Sequence, residues 1–421
     1  MSLADLSPAE LSALKEDLLT RYGALKQAGL KLDLTRGKPS AEQLDLSKDL
    51  LSLPGPEHTT DASGTDVRNY GGLQGLAEIR QIFGELLGIP TDQLVAADNS
   101  SLSVMHDSLA FALLHGRPGG TPWAGRPHKI LCPTPGYDRH FQLAEALGFE
   151  LVPVDLSTQG PDLETIKKLA AEDEAVKAIW VVPTYANPNG AVYSEAVTRE
   201  LVAMPTAAAD FTILWDNAYA VHHLTDDEIA AVDVLGLAAA AGNPDRVFVY
   251  ASTSKITFAG AGVSFFGGSP ATVAWYLGHL SKRTIGPDKV NHLRHALYLR
   301  DAEGVRALMR KHRSIIAPKF EAVEKILTER LGAYGIASWT EPHGGYFISL
   351  DVVDGTATEV VRLAKEAGIA LTPAGSAYPY GNDPADRNIR IAPTFPPLDQ
   401  VTAAIDGLAT CVLLAAVNKI S

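Results

Sequence analysis

The chain is 421 residues long, 46% hydrophobic and 20% charged, with 49 acidic against 36 basic side chains and a formal net charge of −13. That length exceeds what one core usually supports and predicts two domains, and the composition excludes a disordered or fibrous protein. The acidic balance, with no Lys/Arg-rich block, predicts no nucleic-acid partner, and the two distant cysteines, Cys132 and Cys411, exclude a disulfide framework or zinc cluster and fit a reducing cytoplasm.

The first residues, Met1-Ser2-Leu3-Ala4-Asp5, lack the basic and apolar regions of a signal peptide, and no stretch reads as the eighteen or so apolar residues of a membrane span. An amphipathic helix is predicted over 9–27, followed by Leu32-Asp33-Leu34-Thr35-Arg36-Gly37-Lys38-Pro39. This is too little for an independent domain, so residues 1–52 are expected to pack against the C-terminal one. At Asn99-Ser100-Ser101 a helical pattern begins and runs over 102–114. From about residue 100 to 268, short runs rich in Val, Ile, Phe and Trp alternate with helix-length segments such as 162–171 and 193–204; the runs are 129–132, 151–154, 178–182, 212–215, 247–251 and 263–266. Such alternation predicts an α/β fold, a mostly parallel sheet covered by helices, as a large domain over 53–312. After residue 313 come a long helix, strands at 336–340 and 345–351, a helix near 357–367, and strands at 369–372 and 388–392, which predict a smaller α+β domain over 313–421. The apolar window 411–417 reads as the buried face of a terminal helix.

Open α/β sheets bind ligands at the carboxyl ends of their strands. Four of those ends here carry Pro133-Thr134-Pro135-Gly136-Tyr137, Tyr185-Ala186-Asn187-Pro188-Asn189-Gly190, Asp216-Asn217-Ala218-Tyr219 and Ser252-Thr253-Ser254-Lys255. Each motif alone has an ordinary reading: a β-turn at Asn187 to Gly190, a helix cap at Asp216, a surface lysine at Lys255, aromatic packing at Tyr137. Ser100 and Ser101 offer hydroxyls and a helix N-terminus to a phosphate, or a plain N-cap.

Taken together, in type, order and spacing, these residues resemble the class I aminotransferases of pyridoxal 5′-phosphate (PLP) fold type I, over about residues 37–390. The stretches 33–39, 66–72, 252–266 and 388–393 look most like the subgroup Ic aspartate aminotransferases. The resemblance implies that Lys255 carries PLP as a Schiff base and moves the substrate proton, with Asp216 facing the pyridine nitrogen and Tyr219 and Asn187 donating to the cofactor's O3′. It further implies that Tyr137 stacks on the ring, that Ser100, Ser101 and Ser252 hold the phosphate, and that Tyr70 enters the site from the partner subunit of a homodimer. Arg390 and Gly37 would take the substrate α-carboxylate, with Asn187 beside them.

One departure from the family pattern stands at Val263, where an arginine eight residues after the cofactor lysine commonly pairs with the phosphate; the run Ala259-Gly260-Ala261-Gly262 offers backbone N–H groups in its place. For a dicarboxylic substrate a second cation is needed, and Arg139 is the first candidate, with Arg36, Lys38 and Lys289 open. The histidines show no metal spacing and read as structural. The activity implied is ping-pong amino transfer from L-aspartate to 2-oxoglutarate in the cytoplasm. Alternatives on the same scaffold are transamination of aromatic, kynurenine-like or aminoadipate-like substrates, a PLP β-lyase, a regulator or a non-catalytic binding protein.

Overall fold

The structure is a computed structural model and describes residues 3–420. Its largest element is an eight-stranded sheet with spatial order Leu94–Ala96, Ser264–Gly267, Val247–Ser252, Thr212–Asp216, Val176–Val181, Lys129–Thr134, Glu150–Ser157 and Gly160–Pro161. The five central neighbours from Val247–Ser252 to Glu150–Ser157 run parallel, while Ser264–Gly267 pairs antiparallel on both sides and Gly160–Pro161 closes the other edge as a short antiparallel strand.

The near-continuous apolar runs follow from burial on both faces. Along adjacent strands Ile179, Val181, Ile213 and Trp215 enter one hydrophobic core, and the alternating residues Ala178, Trp180 and Leu214 enter another on the opposite side. That is the period-2 signature of a pleated strand covered by helices above and below.

A three-stranded antiparallel sheet, Ala337–Trp339, Ile348–Val352 and Asn388–Ile391, lies over a separate core with the helices Ala357–Glu366 and Leu398–Ile420. Leu18, Tyr22, Leu32 and Leu34 from the N-terminal segment join this core, and Leu32 and Asp33 pair in parallel with Ile369 and Ala370. The helix Ala302–Leu331 runs through both halves, placing Val305 and Leu308 in the large core and Phe320, Val323 and Leu327 in the small one, so residue 312 falls inside a continuous helix. Leu398–Ile420 is long and apolar enough to span a membrane, which corrects the expectation that no stretch reaches that length. Its most apolar window is 78% buried against the small core, so its apolar surface is covered within the chain.

A fourth cluster of Tyr185, Tyr219, Ile316, Tyr346, Phe347 and Ala392 fills the space between the two cores. It forms one wall of the site described next.

Candidate active site

A cavity of about 250 Å3 opens at the carboxyl ends of the central strands, lined among others by Ser100, Ser101, Tyr137, Asn187, Asp216, Tyr219, Ser252 and Lys255. Eight candidates named from the sequence thus converge from five chain segments. Asp216 ends its strand at 3% exposure. One carboxylate oxygen, Oδ2, lies 2.9 Å from His140 Nε2, and the other, Oδ1, is buried without a partner. An anionic oxygen left in that state requires a cation or a donor to offset its desolvation.

Lys255 sits across the cavity, its ammonium nitrogen 4.9 Å from the Tyr219 ring centroid and 6.0 Å from that of Tyr346. Burial depresses its pKa from the usual lysine value, and the Asp216 charge opposes that only in part. The lowering makes the amine easier to deprotonate than an exposed lysine, and so more readily nucleophilic. Tyr219, 3% exposed, has its hydroxyl pKa pushed well up by burial and then by Tyr137 and Asp216, so it is held as a donor. Burial likewise lifts Tyr137 to about 12.

Asn187 is 3% exposed with its side-chain oxygen unpaired. The turn reading of its motif holds at the same time: Asn189 bonds the carbonyls of Leu156 and Ser157, its Oδ1 accepts from the Ala191 N–H, and Gly190 takes φ +74°, where a side chain would be strained. The turn fixes the loop, and the fixed loop presents Asn187.

The helix Ser101–His115 points its N-terminus at the cavity, with Ser100 as N-cap accepting from Ser103 N–H. Ser252 Oγ lies 3.2 Å from Ser254 Oγ, and Ala259 is the member of its small-residue run that lines the cavity. Val263 is fully buried in the large core and does not line the cavity; its N–H donates to Thr253 Oγ1.

Arg390 stands beyond the Tyr219 wall, 9% exposed. Its Nη1 donates to Asp138 Oδ1 at 2.9 Å, its Nη2 reaches Thr372 Oγ1 at 3.4 Å, and its guanidinium lies 5.1 Å from the Phe347 ring centroid. Nε is buried and unpaired. Gly37 packs directly on the same ring, where a Cβ would overlap the Phe347 ring atoms.

Other candidates lie elsewhere. Arg139 is exposed and bonds Gln142 Oε1, outside the cavity lining, and Arg36 is exposed. Lys38 sits 3.8 Å from the Phe395 ring centroid. Lys289 is 4% exposed, and its ammonium is spent on the carbonyls of Asn69 (2.7 Å) and Gly71 (2.6 Å). It holds the loop on which Tyr70 stands out at 82% exposure.

The sequence reading passed over His140, which joins Asp216 and stacks on Trp180 at 4.1 Å, and Gln43, Tyr346 and His312, which lie behind Lys255. The spacing Tyr137-x-x-His140 at the start of the helix Asp138–Ala146 is the one signal that was available for the first of these.

The profile of a family described as aspartate amino-transferase matches residues 6–421. An aspartate aminotransferase of Corynebacterium glutamicum is 53% identical, over 99% of this chain and 96% of its own length. The crystal structure of an aspartate transaminase from Corynebacterium glutamicum superposes with a TM-score of 0.98 at 52% identity, each chain covered completely. An α-aminoadipate aminotransferase from Thermus thermophilus shares the fold at a TM-score of 0.73 and 18% identity, over 93% of this chain and 94% of its own. With the cavity, its lysine and its buried carboxylate inside the matched span, the chain belongs to the aspartate aminotransferase family.

Proposed function

We propose that the protein is a cytoplasmic, homodimeric, PLP-dependent aminotransferase that moves the amino group of L-aspartate to 2-oxoglutarate in two half-reactions. The observation that carries this reading is Asp216 Oδ1, a buried and unpaired carboxylate oxygen on a cavity shared with Lys255, Tyr219 and Asn187. The residues present fit PLP. When bound, that cofactor supplies an aldehyde for amine exchange and a protonated pyridine ring that accepts the electron pair released at the substrate Cα.

Asp216 would hold the proton on the pyridine nitrogen, and His140 fixes the carboxylate for that task. Lys255, whose pKa burial lowers, would be the residue that links to the cofactor's aldehyde and the base available to carry the substrate Cα proton. Tyr219 and Asn187 would donate hydrogen bonds to the ring oxygen, and Tyr137 would pack on the ring. With Val263 in place of a cation, neutral donors would hold the phosphate: the helix N-terminus at Ser101, the hydroxyls of Ser100, Ser101 and Ser252, and the backbone at Ala259.

Arg390, with Nε still free, and the Gly37 backbone bind the α-carboxylate. Tyr70, held out from the surface by the Lys289 anchor, enters the partner's site. Exposed Leu51 and Ile285 supply apolar surface for such a dimer, and the two cysteines, both free and buried, suit a reducing compartment.

Incubation of the purified protein with PLP, L-aspartate and 2-oxoglutarate should yield oxaloacetate and glutamate in equal amounts, and Lys255→Ala should yield neither. Turnover of an aromatic amino acid or 2-aminoadipate, with none of aspartate, would overturn the substrate assignment.

A further inference from the structure

Gln43 lies at the end of the N-terminal segment, fully buried in the short helix Ala41–Asp45. Its side-chain oxygen accepts from the Ser40 N–H at 3.0 Å, while its own N–H donates to Ser40 Oγ. With the oxygen committed, the amide nitrogen faces inward and both of its hydrogens are used, one on Tyr346 Oη at 2.9 Å and one on His312 Nδ1 at 3.0 Å. Because Nδ1 of His312 accepts, the ring proton is on Nε2, which donates to the Ile256 carbonyl at 3.0 Å. The Tyr346 hydroxyl donates in turn to the Lys255 carbonyl at 3.4 Å.

One amide group therefore reaches two successive main-chain carbonyls, at the reactive lysine and the residue after it, through side chains from two other parts of the fold. Gln43, His312 and Tyr346 are each buried, and none of their side-chain polar atoms is left buried without a partner. A satisfied buried network of this kind specifies one geometry. The segment that carries Gln43 also carries Gly37, seated on Phe347 beside Arg390, so the carboxylate end of the site and the lysine are tied to the same stretch of chain.

We propose that Gln43 is a positioning residue for Lys255, acting through Tyr346 and His312 on the backbone at Lys255 and Ile256. It does not touch the reacting atoms. Its task is to fix where the lysine side chain originates, and hence how its nitrogen stands to Tyr219 and Asp216. Burial drives His312 down to about 4, which keeps that ring neutral and its donor direction constant through the working pH range. The inference rests on the reading that Lys255 carries PLP.

The test uses the PLP-loaded enzyme and follows its visible absorption against pH. Gln43→Met keeps the volume and removes both donors. Its titration midpoint should move from wild type by at least about half a pH unit, a threefold change in proton affinity. Tyr346→Phe, which cuts one arm, should move it in the same direction by less, and the double variant should go no further than Gln43→Met, because the two share one path. The variant should also lose PLP faster on dilution. A Gln43→Met enzyme that melts at a lower temperature while titrating at the wild-type midpoint would make Gln43 merely structural and overturn the proposal. Should that variant fail to fold, an unmoved midpoint in Tyr346→Phe does the same. A wild-type protein that takes up no PLP would remove the cofactor reading and this inference together, an outcome distinct from a normal wild type with unshifted variants.

Discussion

His140 Nε2 stands 2.9 Å from Asp216 Oδ2 and leaves Oδ1 of the same carboxylate, on a residue that lines the cavity, buried and unpaired. The imidazole is clamped flat on Trp180, ring planes 6° apart, so the carboxylate cannot rotate freely. Asp216→Asn removes the charge and keeps the shape; kcat should fall by roughly 100-fold or more, the scale seen when a charge-stabilising group leaves an enclosed site. His140→Asn leaves the carboxylate in place and should cost about tenfold. Steady-state kinetics of both variants, with PLP saturating, check the order.

Arg390 presents a planar fork already braced by Asp138 and Phe347. Arg390→Lys keeps the charge but loses the second parallel hydrogen bond, so kcat/KM for aspartate should fall by roughly 100-fold with PLP binding unchanged. Loss of PLP affinity instead would place the arginine in the cofactor site.

Lys255 has its folded pKa below the ordinary lysine value, with burial as the main cause. Between the two values the unfolded chain binds a proton that the folded apoprotein does not, so this group lowers stability at neutral pH, and the loss disappears as pH rises into the usual lysine range. Apo Lys255→Met should be more stable than apo wild type at pH 7, and the gap should close toward pH 10. Urea titrations at both pH values measure it.

Four buried histidines act in the same direction but in a lower pH window. Burial lowers His222, His292, His295 and His312, the last two to about 4. Below about pH 6.5 the unfolded chain takes up protons that the native state refuses, so stability falls as pH drops from about 6.5 toward 4, by up to about 1.4 kcal/mol per pH unit for each ring. His295→Gln, which can still bond Thr257, should flatten that slope in denaturation measured at pH 7, 6 and 5.

Gly37→Ala places a methyl where the Phe347 ring now lies. The ring must shift beneath Arg390, so KM for aspartate should rise while stability falls by about 1–3 kcal/mol, the usual cost of overpacking. Thermal melts and initial rates with varied aspartate separate the two effects.

The central strands were legible in the sequence because both their faces are buried, which writes continuous runs such as Val247 to Ala251 into the chain. Their ends gave Asp216, Tyr219, Asn187 and Lys255 for the same reason: ligand sites gather where parallel strands stop. The edge strands Leu94–Ala96 and Gly160–Pro161 are three and two residues long, too short to carry a period. Val263 resembled a gap in a phosphate clamp, yet it fills the large core, a fact that depends on which way one strand faces. Gln43 and Lys289 were illegible in kind, since a buried glutamine and a buried lysine acquire their meaning only from the carbonyls and rings that folding brings to them. The continuous helix Ala302–Leu331 hid the division between the two cores because it serves both.

The most direct measurement is the visible spectrum of the purified, PLP-loaded protein before and after L-aspartate, followed by 2-oxoglutarate, with Lys255→Ala run in parallel. The account predicts that the absorption of the lysine-linked cofactor disappears with aspartate, returns with 2-oxoglutarate, and is absent from the variant. A wild-type spectrum indifferent to aspartate, or a Lys255→Ala spectrum identical to wild type, would contradict it.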